Sequence, residues 1–248
     1  MANVNNSKTV NLLGFNINNF SMYEALDYAL ELIKSGKGGQ IVTINPEMIQ
    51  SAKKKIYFKQ VIQNADLVIP DGVGIKIGLK LKNIDAKRIA GIEFSYKMLE
   101  KCAQQKIPVA LIGAKPHVVY GAVNALQKQI PNLKTVYFHN GYFSDEERVI
   151  KEMKKAMPKF VLVALGSPRQ EYFIQNALKD LPDSVMIGVG GSFDVWSGNV
   201  KRAPEFYQKY GLEWLYRTIK EPKRLKRIFP TLPNFVLNVI KEDVLKIK

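Results

Sequence analysis

The residues best placed to do chemistry in this chain follow an apolar run that ends at Pro70: a carboxylate, Asp71, and two glycines, Gly72 and Gly74. A short apolar run predicts a buried strand, and glycines let the backbone turn sharply close to a ligand. Open α/β sheets bind ligands at the carboxyl ends of their strands. Asp71 is therefore a candidate general base, which takes a proton from a substrate hydroxyl. The competing interpretation is a turn residue or helix cap.

A second aspartate, Asp66, stands at the start of the same predicted strand. It would lie at the opposite edge of the sheet, so we expect a structural role for it.

Several more predicted strands end in small or polar residues that could face the same site. They are Thr43 with Asn45, Gly113, Gly166 with Gln170, and Gly190 with Gly191 and Asp194. Glycines at such positions let backbone N–H groups and helix N-termini approach a phosphate, although a tight turn accounts for each one equally well. Asn45 and Asp194 could be simple caps, and the helix dipole alone favours a carboxylate such as Glu171 in a first helical turn.

Several common kinds of site are not indicated by the sequence. No Asp-x-Asp pair follows a strand, and His117 and His139 are the only histidines, so we predict no metal site. The absence of G-x-G-x-x-G after the first strand and of a P-loop disfavours a dinucleotide-binding domain. Cys102 is the only cysteine, which excludes an intramolecular disulfide and favours a reducing compartment and a core position for the thiol.

The elements that must position these residues alternate between strand and helix from Thr9 to about Val189. Helix starts are marked by a capping box at Ser21 and by Asn45 followed by Pro46. The alternation predicts an α/β, Rossmann-like fold with a mainly parallel sheet and helices on both faces.

The pattern changes after about Ser197, where strand signals stop and basic helical segments begin. Four prolines are expected to break these segments: Pro204, Pro222, Pro230 and Pro233. We therefore predict a catalytic core over residues 1–198 and a helical appendage over 199–248.

The net charge of +15 points to an anionic partner. From Trp196 to Lys248 the chain has 12 Lys/Arg and 5 Asp/Glu, a net charge of +7. Basic and apolar residues alternate at helical spacing there. The basic face could meet lipid headgroups or a pyrophosphate, or the apolar face could pack on the core or on a second subunit.

Nucleic acid is a less favoured partner for this positive charge, because an aromatic stacking pattern and a recognition-helix motif are missing. A membrane-spanning or secreted protein is not indicated either. No apolar run reaches the roughly 18 residues of a spanning helix, and the N-terminus shows no apolar signal-peptide region.

Several of these segments resemble the WecG/TagA/CpsF glycosyltransferase family (glycosyltransferase family 26) over roughly Thr9 to Pro230. The matching motifs are Thr43-Ile44-Asn45, Pro70-Asp71-Gly72-Val73-Gly74, Arg88 to Gly91, Gly166 to Glu171, Gly188 to Asp194, Gly198 to Pro204 and Gly211 to Arg217. Their number and order make the resemblance specific.

The resemblance implies an inverting glycosyltransferase that needs no metal or other cofactor and moves a sugar from a UDP donor to a lipid-linked acceptor. TagA-like members transfer N-acetylmannosamine (ManNAc) from UDP-ManNAc to the 4-hydroxyl of N-acetylglucosamine (GlcNAc) on undecaprenyl diphosphate, in wall teichoic acid synthesis. The family also suggests a cytoplasmic enzyme, peripheral on the inner face of the cell membrane, and a homo-oligomer. Open alternatives are another UDP-sugar, such as ManNAcA or glucose, another nucleotide-dependent enzyme such as an oxidoreductase, or a basic nucleotide- or nucleic-acid-binding protein.

The resemblance also implies roles for individual residues. Asp71 would be the base, Gln170 would contact the transferred sugar, and Asp194 would meet the uracil. Arginines of the appendage would stabilise the charge on the departing diphosphate or bind the diphosphate of the lipid; they are Arg217, Arg224 and Arg227. The remaining residues of the predicted substrate-binding set are Thr43, Asn45, Gly72, Arg88, Gly113, Gly190, Gly191 and Arg202.

Overall fold

A computed structural model describes residues 8–209, 213–220 and 225–246, except for the side chains of 208, 209, 214, 217, 218, 220 and 225–230. Within these residues, six strands form a parallel sheet in the order β4-β3-β8-β7-β5-β6, and a two-stranded antiparallel hairpin precedes it. The hairpin strands are β1 (Thr9–Leu12) and β2 (Phe15–Asn18). The strands of the main sheet are β3 (Gly39–Ile44), β4 (Leu67–Pro70), β5 (Val109–Gly113), β6 (Thr135–His139), β7 (Phe160–Ala164) and β8 (Val185–Gly188).

Helices connect the strands and then continue alone to the C-terminal end of the described chain. They are α1 (Met22–Lys34), α2 (Pro46–Lys54), α3 (Ile56–Gln63), α4 (Val73–Leu81), α5 (Gly91–Gln104), α6 (Pro116–Gln129), α7 (Glu146–Ala156), α8 (Arg169–Asp180), α9 (Ser192–Trp196), α10 (Glu205–Lys209), α11 (Glu213–Lys220) and α12 (Leu225–Asn238). A π-helical segment, Val239–Val244, extends α12.

The parallel sheet is covered on both faces, which confirms the predicted α/β architecture. Alternate residues of strands β3, β4, β5, β7 and β8 belong to different apolar clusters, as the two-residue period of a strand requires. Leu111 and Leu162 pack with α1, α5 and α6 on one face, whereas Ala110 and Val161 pack with α7 and α8 on the other. Strands β4, β5, β7 and β8 therefore read as continuous apolar runs because both of their faces are buried, whereas no residue of the edge strand β6 is fully buried.

Several local predictions are confirmed. Ser21 forms a capping box with Glu24 at the start of α1, and Cys102 is a buried free thiol. The backbone N–H of Gln40 donates to Asp66 Oδ2 at 2.8 Å. Asp66 therefore supports the start of the sheet, at the edge opposite Asp71.

Two features differ from the sequence prediction. Strand β2 is not predicted, because a Phe15-Asn16-Ile17-Asn18 alternation of four residues is too short to identify alone. The expected breaks at Pro230 and Pro233 are wrong, since α12 is continuous through both positions. Each proline removes a helical hydrogen bond, and burial of the helix further along compensates for that loss.

The burial that holds α12 in place involves two glycines of α4. Phe235 of α12 is fully buried, and a Cβ built on Gly78 would lie 3.0 Å from its ring. A Cβ on Gly74 would lie 2.4 Å from Pro46 Cγ and 2.9 Å from Leu232 Cδ1. Because these two positions carry no side chain, α12 packs closely against the helix that begins just after Asp71.

No helix among the described residues combines the length and apolar character needed to cross a membrane.

Candidate active site

The carboxyl ends of neighbouring strands bring most of the predicted site residues to one edge of the sheet. Strands β4, β3, β8 and β7 are consecutive neighbours, so the segments that begin at Asp71, Asn45, Val189 and Leu165 follow one another along that edge. Gly113 ends β5, one strand further away. The shared edge predicted from the alternation pattern is therefore confirmed.

Asp71 is fixed by its backbone and by the turn that follows it. Its N–H donates to Ile44 O at 2.9 Å, which ties it to the end of β3. Gly72 then has φ +82 with open space at its Cβ position, a conformation that favours glycine. The backbone N–H groups of Gly72 and Gly91 donate to the Asp71 carboxylate. Asp71 is thus aimed by two glycine N–H groups and is still 30% exposed.

Burial of the Asp71 carboxyl raises its pKa from 3.8 to about 6, against the lowering effect of Arg88 and of the two backbone N–H groups. The negative charge of Glu213 raises the pKa further. A base works best when its pKa lies near the working pH. At neutral pH, Asp71 is mostly ionised and remains basic enough to accept a proton.

An ion-pair network joins Asp71 to the C-terminal helices. Arg88 Nε lies 3.9 Å from Asp71 Oδ1, and Arg88 Nη2 lies 3.1 Å from Glu213 Oε2 on α11. Glu213 Oε1 is 3.4 Å from Arg202 Nε, and Arg202 Nη2 is 2.6 Å from Glu93 Oε1. Arg88 is therefore shared between two carboxylates, and Glu213 connects α11 to the edge where Asp71 lies.

Glu213 is not among the predicted site residues. It stands in the Gly211-to-Arg217 motif, so the motif is the signal that could identify it. The basic character of the appendage favours arginines as candidate site residues, so an acidic residue such as Glu213 is not selected from the sequence. Glu213 pairs with both Arg88 and Arg202, and Arg88 in turn contacts Asp71.

Thr43 and Asn45 lie on the neighbouring strand β3 and just beyond it. A Cβ built on Gly91 would lie 3.0 Å from Thr43 Cγ2, so Thr43 lies beside the start of α5, whose first N–H donates to Asp71. Asn45 Oδ1 accepts the N–H of Met48 at 3.0 Å, which confirms its role as the N-cap of α2. Their contacts with a sugar remain predictions.

Gln170 and Gly190 meet between β7 and β8. Gln170 Oε1 accepts the N–H of Gly190 at 3.1 Å, and Gln170 Nε2 donates to Glu171 Oε1 at 2.8 Å. Gly190 has φ +50 and open space at its Cβ position, so its turn leaves room for a ligand close to the backbone. The predicted sugar contact of Gln170 is not tested by these bonds.

The remaining core residues of the predicted set have local structural roles beside any binding role. Asp194 Oδ1 accepts from Asn199 Nδ2 at 2.9 Å, and Gly191 precedes α9. A Cβ on Gly113 would lie 2.4 Å from Ala164 O, so glycine is required there by the neighbouring strand. Their roles toward a nucleotide remain predictions.

The appendage arginines can be located only in part. Arg224 lies outside the described residues, as do the side chains of Arg217 and Arg227. Throughout the described part of the chain, no group of three or more His, Cys, Asp or Glu side chains could hold a metal ion.

Comparisons with known proteins identify the family. Residues 10–248 match the model of the glycosyl transferase WecG/TagA/CpsF family. A Bacillus subtilis protein named N-acetylglucosaminyldiphosphoundecaprenol N-acetyl-beta-D-mannosaminyltransferase is 40% identical over 207 residues, which cover 83% of this chain and 80% of that protein. A Bacillus spizizenii protein with the same name is 37% identical over 213 residues, 85% of this chain and 82% of that protein. With its parallel α/β sheet and a carboxylate at the expected strand end, the chain belongs to the WecG/TagA/CpsF glycosyltransferase family and is a hexosyltransferase.

Proposed function

We propose that this enzyme transfers N-acetylmannosamine from UDP-ManNAc to GlcNAc-diphospho-undecaprenol, a step of wall teichoic acid synthesis. The names of the two Bacillus relatives support this acceptor and this sugar. The observation that carries the proposal is Asp71, a partly exposed carboxylate with a pKa of about 6 at the carboxyl edge of the sheet.

The proposed reaction is a single displacement in which Asp71 acts as the base. An Asp71 carboxylate oxygen takes the proton of the acceptor hydroxyl while the hydroxyl oxygen attacks the anomeric carbon of the donor sugar. The bond between that carbon and the β-phosphate oxygen breaks, and UDP leaves with the electron pair. Attack opposite the leaving group inverts the anomeric centre. Of the proposed sugar contacts, Thr43 and Asn45 belong to β3 and the residue after it, and β3 pairs directly with the strand that ends before Asp71.

Binding of the donor is assigned to the other end of the site edge. The open turn at Gly190 and Gly191 can approach the diphosphate with its backbone, and Asp194 is proposed to meet the uracil. Charge on the departing diphosphate requires cationic groups. We assign this task to Arg217, Arg224 and Arg227, because the guanidinium fork matches phosphate oxygens.

The membrane is the proposed location of the reaction. An undecaprenyl-linked acceptor is held in the lipid bilayer, and the basic residues of the appendage suit an anionic surface. We propose a peripheral enzyme on the inner membrane face that works without a metal and assembles as a homo-oligomer. Transfer of a different UDP-sugar to the same kind of acceptor is the alternative.

A transfer assay with a water-soluble GlcNAc-diphospho-lipid analogue tests the proposal. UDP-ManNAc should be consumed in the presence of EDTA, and UDP-GlcNAc, UDP-glucose and UDP-ManNAcA should react at much lower rates. Preferred use of another donor would support the alternative, and strict dependence on an added divalent cation would contradict the metal-independent step.

A further inference from the structure

The proposed mechanism leaves one buried carboxylate of the site edge unused. Glu171 lies in the first turn of α8 and is 2% exposed. Burial raises its pKa, while the hydrogen bond from Gln170 opposes that rise. The other carboxylate oxygen, Oε2, has no hydrogen-bond partner among the described residues. A buried polar group is costly unless it is hydrogen-bonded, so the partners of Glu171 indicate what this carboxyl group does.

Glu171 acts on the preceding side chain, Gln170, which is itself 5% exposed. Glu171 Oε1 accepts from Gln170 Nε2 at 2.8 Å. A glutamine amide has one donating end and one accepting end. Because Glu171 takes the donating end, the accepting oxygen is directed the other way, where it receives the N–H of Gly190 at 3.1 Å.

The amide of Gln170 is also confined by the end of strand β8. A Cβ built on Gly188, the last residue of β8, would lie 2.4 Å from Gln170 Nε2. Only glycine at this position leaves room for the amide to lie against the strand. The amide nitrogen is therefore bound by Glu171, the amide oxygen is bound by the N–H of Gly190, and the amide lies against the backbone of Gly188.

We propose that Glu171 is a positioning residue: it orients the Gln170 amide, and Gln170 in turn holds the Gly190 turn in the shape that receives the donor nucleotide. This inference rests on the proposed function, since it assigns the Gly190 turn to the UDP moiety. Glu171 itself need not touch the substrate.

The test compares UDP binding by isothermal titration calorimetry in the full-length wild type and in variants of this pair. In Glu171→Ala the Gln170 amide can turn, and the loss of one hydrogen bond should weaken UDP binding by about 3- to 10-fold. Glu171→Gln keeps an acceptor oxygen at the same place and should bind within about 2-fold of the wild type. Glu147→Ala removes an exposed glutamate from the first turn of α7 and should leave affinity unchanged.

A double-mutant cycle then combines Gln170→Ala with Glu171→Ala and compares the pair with Gln170→Ala alone. If Glu171 acts through Gln170, its removal should have no further effect once Gln170 is gone. Far-UV circular dichroism and melting temperatures establish that each variant is folded. Gly188→Ala displaces the same amide from below and takes the place of Glu171→Ala if that variant does not fold.

A second readout does not depend on the nucleotide. The N–H of Gly190 should exchange with solvent faster in Glu171→Ala than in the wild type, and at the wild-type rate in Glu171→Gln. Absence of UDP binding in the wild type would overturn the proposed function, and the exchange rates would still decide the positioning role. Unchanged UDP affinity in Glu171→Ala, or full additivity in the double variant, would overturn the positioning role alone.

Discussion

Two carboxylates lie along the same edge of the sheet, and their surroundings differ. Asp71 is partly open to solvent, faces the cation Arg88 and receives two backbone N–H groups. Glu171 is almost fully enclosed; its Oε1 accepts from the side chain of Gln170, and its Oε2 has no hydrogen-bond partner among the described residues. Burial raises the pKa of both. Of the two, only Asp71 combines a perturbed pKa with access to a substrate. Solvent access therefore distinguishes a carboxylate that can exchange a proton with a substrate from one that can only orient its neighbours.

The largest effect is expected when the charge of Asp71 is removed. Asp71→Asn keeps the shape but cannot accept a proton, so transfer should fall by about 10²- to 10⁴-fold, the usual contribution of a general base. Initial rates and UDP affinity should be measured together, and the affinity should not change. Asp66→Asn, at the opposite end of the same strand, is the matched control. Wild-type rates in Asp71→Asn would exclude Asp71 as the base.

The same substitution should stabilise the fold at neutral pH. Because the pKa of Asp71 is 3.8 in the unfolded reference and about 6 in the folded protein, ionised Asp71 costs up to about 3 kcal/mol of folding free energy above pH 6. The cost decreases as the pH falls through 6 and vanishes below 3.8, where the carboxyl is protonated in both states. Asp71→Asn should therefore raise the melting temperature by several degrees at about pH 8 and much less at about pH 4. Equal gains at the two pH values would contradict this origin.

Removal of Arg88 should leave the Asp71 carboxylate without its neighbouring cation, just as Glu171 has none within the described part of the chain. Without the guanidinium that lowers its pKa, the pKa of Asp71 should rise above about 6. The acid limb of the kcat/KM profile of Arg88→Leu should then move to higher pH, so that the loss of activity is largest at and below neutral pH and smaller at alkaline pH. Lys87→Leu removes a neighbouring exposed charge and should leave the profile in place. A shift toward lower pH would be the opposite of this expectation.

The smallest effect should come from Glu213, whose charge raises the pKa of Asp71. In Glu213→Gln that charge is removed and Arg88 is no longer shared by two carboxylates. Both changes lower the pKa of Asp71, so the acid limb should move to lower pH and relative activity in mildly acidic buffer should increase. Glu205→Gln, an exposed residue of α10, serves as the control. An unmoved profile would show that Glu213 does not act on Asp71.

Sequence patterns predict which residues lie at the carboxyl edge of the sheet, but they do not predict which of those residues contact one another. Strands β4, β5, β7 and β8 are continuous apolar runs bounded by turn residues, so the alternation of strands with helices is visible and Asp71 falls at the predicted edge. The pairing of Gln170 with Gly190 joins positions 20 residues apart, and Arg88 reaches Glu213 over 125 residues. Such contacts depend on how the elements pack, which local patterns do not contain.

The continuous helix α12 shows the same limit. Pro230 and Pro233 are unfavourable in a helix interior by local rules. The favourable contribution comes from Phe235 and Leu232 against Gly74 and Gly78 of α4, a pairing that neither segment reveals alone. The sequence favours a turn role for both glycines after Asp71, whereas Gly74 is occupied by helix packing.

The packing of α12 on α4 changes how a shortened chain should be interpreted. A protein that ends before α12 loses the cover of Gly74 and Gly78, and this leaves an apolar groove directly behind the turn that carries Asp71. We expect such a protein to associate with itself or with detergent through the groove. This association would occur whether or not the protein binds lipid. Neutralising individual basic residues of the appendage, with residues 225–246 left in place, therefore tests the proposed membrane attachment without removing the helix that packs on α4.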